Sequence, residues 1–177
     1  MMEPLRTSRL LIRSFSPADL GDFCAYQADP RVRQYQYQHG QPMGVQQAAH
    51  YLTVQAGLDE RELSSWHGYA VQHVESGTVI GDIGVYLESR AEGDIGFQFH
   101  PGFHRQGYGC EAMTAFLPYV FETLGLERVT AGCEPANRAS RALLGRLGMQ
   151  QRTPAAVGDC HYDLTRAQWQ DGRGLNV

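Results

Sequence analysis

Residues 94–112 read DIGFQFHPGFHRQGYGCEA, and the fold follows from how this stretch divides. In Asp94–His100 the apolar residues Ile95, Phe97 and Phe99 alternate with Gly96, Gln98 and His100. That is the period-two pattern of a strand with one face in a core and the other available for chemistry. Pro101, Gly102, Gly107 and Gly109 then interrupt the pattern. Beyond Cys110, Met113, Phe116, Leu117, Val120, Phe121 and Leu124 recur at helical spacing up to Gly125, a terminator, and Pro118 is expected to kink the run. A strand, a glycine turn and a helix leave several N–H groups pointing out of the helix N-terminus, where the dipole favours negative charge. Gly107 and Gly109 have no Cβ, so an oxygen-rich ligand can approach the main chain. The stretch reads as an anion cradle; the plainer alternative is a connection that binds nothing.

Upstream, Leu10, Leu11 and Ile12 form a short strand-like run. Ser16-Pro17-Ala18-Asp19 then carries the signals of a helix start, and Asp29-Pro30 those of its end. A second helix is expected over Val45–Leu58, with Ala48, Ala49, Leu52 and Ala56 on one stripe and the polar, aromatic stretch Arg31–Gly44 as the connection before it. Trp66–Val74 and Val79–Leu87, joined by Glu75-Ser76-Gly77-Thr78, read as a β-hairpin that precedes the opening strand. Downstream, Val129, Ala131 and Cys133 alternate as a strand, and Asn137 is placed to cap a helix carrying Ser140, Leu143, Leu144 and Leu147. A last strand over Asp159–Leu164, a short helical turn over Thr165–Trp169 and a loose end at DGRGLNV complete the reading.

Composition narrows the function classes. The 177 residues, 42% hydrophobic and 19% charged, suit a globular domain with one sizeable core. A net charge of −4 and the lack of any Lys/Arg run argue against nucleic acid as a partner. No stretch approaches the roughly 18 apolar residues of a membrane span, and MMEPLRTSRLLIR lacks a signal-peptide pattern, so a cytoplasmic protein is expected. Cys24, Cys110, Cys133 and Cys160 are far apart with no CxxC pair, which predicts reduced, mostly buried thiols. His100 and His104 are four apart, but Pro101 and Gly102 between them argue against a helical pair of metal ligands, and no metal is expected.

Two phosphate loops fail on the cradle. A P-loop needs Lys then Ser or Thr after its last glycine, where Cys110-Glu111 stands. A dinucleotide fingerprint opens a parallel strand–helix unit, whereas this turn follows a hairpin-rich half of the chain. A third pattern fits better: HRQGYG resembles the (Gln/Arg)-x-x-Gly-x-(Gly/Ala) motif of the GCN5-related N-acetyltransferases, the GNAT superfamily. With GDIGVYL, PANRASRALLGRLGM and DCHYDLTRAQW, the chain resembles the branch that includes the ribosomal-protein alanine N-acetyltransferases. His104 departs from the general motif, standing where it has Gln or Arg. The resemblance implies a mixed α/β (α+β) GNAT fold over one domain, residues 1–177 with a core at about 8–169, having a mostly antiparallel twisted sheet of about six to seven strands and about four flanking helices.

The same resemblance implies acetyl-CoA as co-substrate, with the backbone amides of Arg105, Gln106, Gly107, Tyr108 and Gly109 holding its pyrophosphate. The main chain near Phe97 and Phe99 would pair with the pantetheine arm like an added strand, and an amide there would face the acetyl carbonyl. Asn137 corresponds to an Asn contacting that arm, and Ser140 to a Ser that protonates the departing thiolate; their plain roles are a cap and a packing residue. The family also implies a homodimer as a common assembly.

Direct transfer needs a neutral amine and a group that takes its proton, and no protein nucleophile. His100, ending the opening strand, and Glu134, after Cys133, are the base candidates, each with a plain reading as a turn-flanking or solvated residue. Cys110 reads as a small residue at the helix start, and Glu111 as pointing away from the ligand. An α-amine, with pKa about 7.7 to 8.0, is about 3.5 kcal/mol easier to neutralise at pH 7 than a lysine side chain. A site without a strong base therefore suits a protein or peptide N-terminal α-amine, or a weakly basic small-molecule amine such as an antibiotic, polyamine analogue or amino acid. Arg31–Gly44 and Thr153–Asp159 face the acceptor in this reading, with Tyr35, Tyr37 and Trp66 as candidate walls. A retained cradle with an inactive acceptor site would instead make a non-catalytic acyl-CoA-binding module.

Overall fold

The computed structural model describes residues 2–34, 43–152 and 158–174. Eight strands lie in one sheet: β1 (Leu5–Arg6), β2 (Leu10–Ser14), β3 (Trp66–His73), β4 (Val79–Leu87), β5 (Glu92–Phe99), β6 (Arg128–Cys133), β7 (Gln150–Gln151) and β8 (Cys160–Thr165). They are ordered β1-β2-β3-β4-β5-β6-β8-β7. Every neighbouring pair is antiparallel except β5 and β6, which run parallel. This is a mixed α/β fold with a mostly antiparallel sheet, as the resemblance implies, and the two-residue strands β1 and β7 account for the excess over the six or seven strands expected.

Six α-helices flank the sheet among the described residues: α1 (Leu20–Ala28), α2 (Pro30–Arg33), α3 (Val45–Gly57), α4 (Tyr108–Pro118), α5 (Arg138–Arg146) and α6 (Arg166–Gly174). Two differ from expectation. Asp29-Pro30 does end α1, but Asp29 immediately caps α2, its carboxylate accepting the Arg31 N–H at 2.8 Å. The loose end was expected from Asp171, yet α6 runs on to Gly174. Thr165 and Gln168 form a reciprocal capping box, Thr165 N–H to Gln168 Oε1 at 2.9 Å and Gln168 N–H to Thr165 Oγ1 at 3.3 Å. Trp169 packs its ring on Phe121 at 5.1 Å, which anchors the helix. Pro118 ends α4, and the chain continues as a π-helical turn over Tyr119–Thr123.

The sheet separates two apolar cores. One joins Ile83, Val85, Ile95 and Phe99 to Met113, Phe116 and Leu144 of α4 and α5. The other packs Phe15, Phe23, Tyr26, Ala48 and Leu52 of the α1–α3 layer against Ala70. The four cysteines are free, and only Cys160 is buried; Cys24, within α1, and Cys133, at the end of β6, pack against the margins of the two cores and are half-exposed, as is Cys110 in the first turn of α4. No helix among the described residues is long and apolar enough to cross a membrane.

Candidate active site

The parallel seam between β5 and β6 is short. Only Glu92↔Arg128, Gly93↔Val129 and Asp94↔Thr130 pair. Past Asp94, β5 continues five residues to Phe99 and β6 continues three from Thr130 to Cys133, so a gap opens between two strand edges. His100 N–H donates to the Ile80 carbonyl at 2.7 Å, so the even-numbered residues of β5 bond to β4. By alternation the main-chain groups of Phe97 and Phe99 face the gap. A ligand arm can therefore add there as a strand.

The cradle stands at the open end of this gap. Gly107 adopts φ +84°, and Arg105 also has a positive φ, +59°. Glu111 N–H makes the first intrahelical bond of α4, to the Gly107 carbonyl at 3.0 Å, which leaves the N–H groups of Tyr108, Gly109 and Cys110 ahead of it at the helix start. The Tyr108 side chain is buried, its hydroxyl 3.2 Å from His73 Nε2, so only its main chain faces the ligand side. Arg105, Gln106 and Gly107 are exposed. His104, the departure from the motif, places Nε2 2.8 Å from the Phe99 carbonyl and ties the turn to the end of β5. A Cβ on Gly109 would lie 3.1 Å from Leu143 and 3.4 Å from the Phe99 ring, so α4, α5 and β5 converge at that glycine.

Across the gap, Asn137 caps α5, its Oδ1 accepting the Ser140 N–H at 3.0 Å. The Ser140 side chain bonds to the Cys133 thiol, whose pKa burial nonetheless raises. The structure thus brings together the cradle, the Phe97 and Phe99 edge, Asn137 and Ser140. The two base candidates stand apart from the closed end of the gap. His100 Nδ1 accepts the Gly102 N–H at 3.0 Å, so its ring caps the turn. Glu134 follows the end of β6, four residues or about 13 Å along the strand from Thr130.

At the closed end sits a group that no local sequence pattern singles out. Asp94 occupies the last paired position, half-buried, with Oδ1 accepting the Thr130 hydroxyl at 2.6 Å. Burial raises its carboxyl pKa, against the Thr130 hydrogen bond and the nearby His161, which lower it. It shares the sheet face with Gly96 and Gln98, opposite the α4 core. On that face Trp66 covers β4 and β5: a Cβ on Gly84 or Gly96 would lie 2.6 or 2.9 Å from its ring. Tyr86, 37% exposed, pairs with both Trp66 and Asp94. Farther across, Asp163 is held by Arg128 at 3.0 Å and Arg152 at 2.5 Å, beside the exposed His161. Of the other proposed walls, Tyr35 and Tyr37 lie outside the described residues, as does most of both acceptor-facing segments.

Behind Trp66, Asp82 is buried with two neutral donors. Oδ2 accepts the Tyr26 hydroxyl at 2.6 Å and Gln98 Nε2 at 2.8 Å. Burial pushes the Asp82 carboxyl up to about 6 in spite of both bonds. A folded pKa above the unfolded value means that the native state binds a proton more tightly, so this group favours the fold increasingly as pH falls from about 6 to about 4. Ionised above that window, the buried charge costs about 3 kcal/mol. Asp82→Asn is therefore expected to stabilise the protein at pH 7.5 and to lose most of that advantage at pH 4.5, as read by urea unfolding. A stability gap of equal size at both pH values would contradict it.

Among the described residues no group of three His, Cys, Asp or Glu is arranged to hold a metal ion. A family model described as "Acetyltransferase (GNAT) domain" matches residues 9–150. The chain is 29% identical over 149 residues to a Bacillus subtilis (strain 168) protein named "Uncharacterized N-acetyltransferase YnaD", covering 83% of this chain and 82% of that one. Among solved structures, a GNAT-family acetyltransferase from Bacillus anthracis superposes with TM-score 0.77 at 22% identity, over 92% of this chain and 98% of the other. An acetyltransferase from Agrobacterium tumefaciens str. C58 gives 0.74 at 25% identity, over 94% and 96%.

Proposed function

Because the chain belongs to the GNAT acetyltransferase family and is an acetyl-CoA-dependent N-acetyltransferase, we propose that its acceptor is the α-amine of a protein or peptide N-terminus, acetylated directly in the cytoplasm. The observation that carries this reading is Asp94 at the closed end of the β5–β6 gap. A carboxylate is a weak base, and even with its pKa raised it matches an α-amine better than a lysine side chain. The face around it, with Tyr86, His161, Arg128 and Arg152 exposed or half-exposed, suits a peptide laid across strands.

Acetyl-CoA supplies the activated acetyl group. Tyr108, Gly109 and Cys110 N–H groups fit its diphosphate, Gly107 gives the turn its shape, and the Phe97 and Phe99 main chain fits the pantetheine arm. Asp94 takes the proton from the attacking nitrogen as the N–C bond forms, and Thr130 keeps its carboxylate oriented. A gap-facing N–H of β5 donates to the acetyl oxygen as charge builds there. Ser140 passes a proton to the sulfur as the C–S bond breaks and regains one from water, to which Asp94 gives up the proton taken from the amine, so that both residues return to their starting states; Asn137 fixes the turn of α5 that carries Ser140.

Release of free CoA thiol, followed with a panel of peptides differing in their first two residues and a panel of small amines, tests the reading. Peptides free at the N-terminus should react, and N-formylated versions that retain a lysine should not. Reaction confined to small amines would replace the peptide acceptor with a small-molecule one. No release above hydrolysis for any compound would favour the non-catalytic acyl-CoA-binding module.

A further inference from the structure

The turn between β1 and β2, Thr7-Ser8-Arg9, is built onto the first turn of α4. Glu111 Oε1 accepts the Thr7 hydroxyl at 2.6 Å, the Ser8 hydroxyl at 3.2 Å and the Arg9 N–H at 3.0 Å. Its Oε2 takes Arg9 Nε at 2.7 Å and Nη2 at 2.6 Å. Arg9 Nη1 reaches past the helix to the Gln106 carbonyl at 3.0 Å, within the cradle itself. The guanidinium lies 4.2 Å from the centre of the Tyr108 ring, and a Cβ on Gly107 would meet its Nη2 at 3.4 Å. One planar cation therefore touches the residues before, at and after the helix start.

The arrangement resolves a conflict. A carboxylate in the first turn favours the helix, but beside a bound diphosphate it adds repulsion. Arg9 cancels the Glu111 charge and directs the carboxylate to the β1–β2 turn. It also fixes Gln106, whose backbone must hold its shape for the following amides to converge.

We propose that Arg9 is a positioning residue for acetyl-CoA: it locks the cradle to the N-terminal hairpin and masks the Glu111 charge from the diphosphate. The inference rests on the cradle reading above and extends it to a residue about a hundred positions away in sequence.

Calorimetric titration of CoA tests it on the full chain. Arg9→Met should raise Kd at least about tenfold, and kcat at saturating acetyl-CoA should change less than about threefold. Arg9→Lys keeps the charge without the planar fork and should lie between Arg9→Met and the wild type. The decisive variant is the double one. With Arg9→Met the Glu111 carboxylate is left uncompensated, so adding Glu111→Gln should recover affinity by about threefold or more. A merely structural role predicts further loss instead.

A folded Arg9→Met protein with wild-type Kd would overturn the proposal, as would a double variant no tighter than Arg9→Met alone. If Arg9→Met does not fold, unchanged Kd in Arg9→Lys and Glu111→Gln together would overturn it. Gly107→Val, titrated alongside, separates this failure from that of the cradle: wild-type binding by Gly107→Val removes the cradle, whereas loss there with no loss in the Arg9 variants removes only the role of Arg9.

Discussion

Gly107→Val is expected to weaken acetyl-CoA binding about a hundredfold or more, roughly 2.7 kcal/mol, while leaving a folded protein. Gly107 sits at φ +84°, where a side chain costs about 1–2 kcal/mol. The space around its would-be Cβ is not the obstacle, since the nearest atom, Arg9 Nη2, lies at an ordinary 3.4 Å. The loss comes from the backbone, which relaxes toward negative φ and turns the amides at the start of α4 away from a common point. Gly148 supplies the control: its φ is +82°, nothing lies within 4 Å of its would-be Cβ, and it follows the far end of α5. Gly148→Val should lower stability by a similar amount and leave binding untouched. Calorimetry on the two variants settles it, and equal affinities would show that the turn does not hold the coenzyme.

Asp94→Asn should lower kcat about a hundredfold to a thousandfold with little change in affinity for CoA. The asparagine keeps an oxygen for the Thr130 hydroxyl, so the strand pairing at Thr130 is preserved. What is lost is a group able to take a proton. Burial raises the Asp94 carboxyl, and a base must be ionised, so wild-type kcat/KM should fall as pH drops through a value above the ordinary carboxylate range. In the variant that acid limb should vanish, leaving only the titration of the acceptor amine. An unchanged profile in Asp94→Asn would return the base role to His100 or Glu134.

Local signals carried most of the architecture. The β3–β4 hairpin, the alternation in β5, the glycine turn and the Asn137 cap all depend on residues within about four positions of one another. The expected helix over Val45–Leu58 is α3, one residue shorter. The capping box at Thr165 and Gln168 is legible by the same rule and fixes where α6 begins, whereas its run to Gly174 crosses Gly172, a residue that reads as a helix breaker. Asp94 is a different matter. In the sequence it is one polar residue at the start of an alternating strand, and its significance arises only from Thr130, 36 positions on, where two strands stop pairing. Arg9 is likewise ordinary until α4 brings Glu111 and Gln106 to it. His100 shows the converse: a histidine at a strand end invites a catalytic role, yet its ring accepts a neighbouring N–H and closes a turn. Trp66 explains Gly84 and Gly96, which by themselves look like defects in β-strands.

The three-pair seam between β5 and β6 has a mechanical meaning as well. The sheet is two antiparallel blankets, β1–β5 and β6–β8, stitched along one short hem. Any parting of the blankets at the hem would also spread the gap beside it, opposed by the core that both share beneath α4. A ligand laid along the gap acts as a cross-brace between them, contributing about 2.7 kcal/mol of stability at a hundred times its Kd. The protection should concentrate in the amides of β6 and the end of β5, so that hydrogen exchange along the hem reports occupancy of the gap directly.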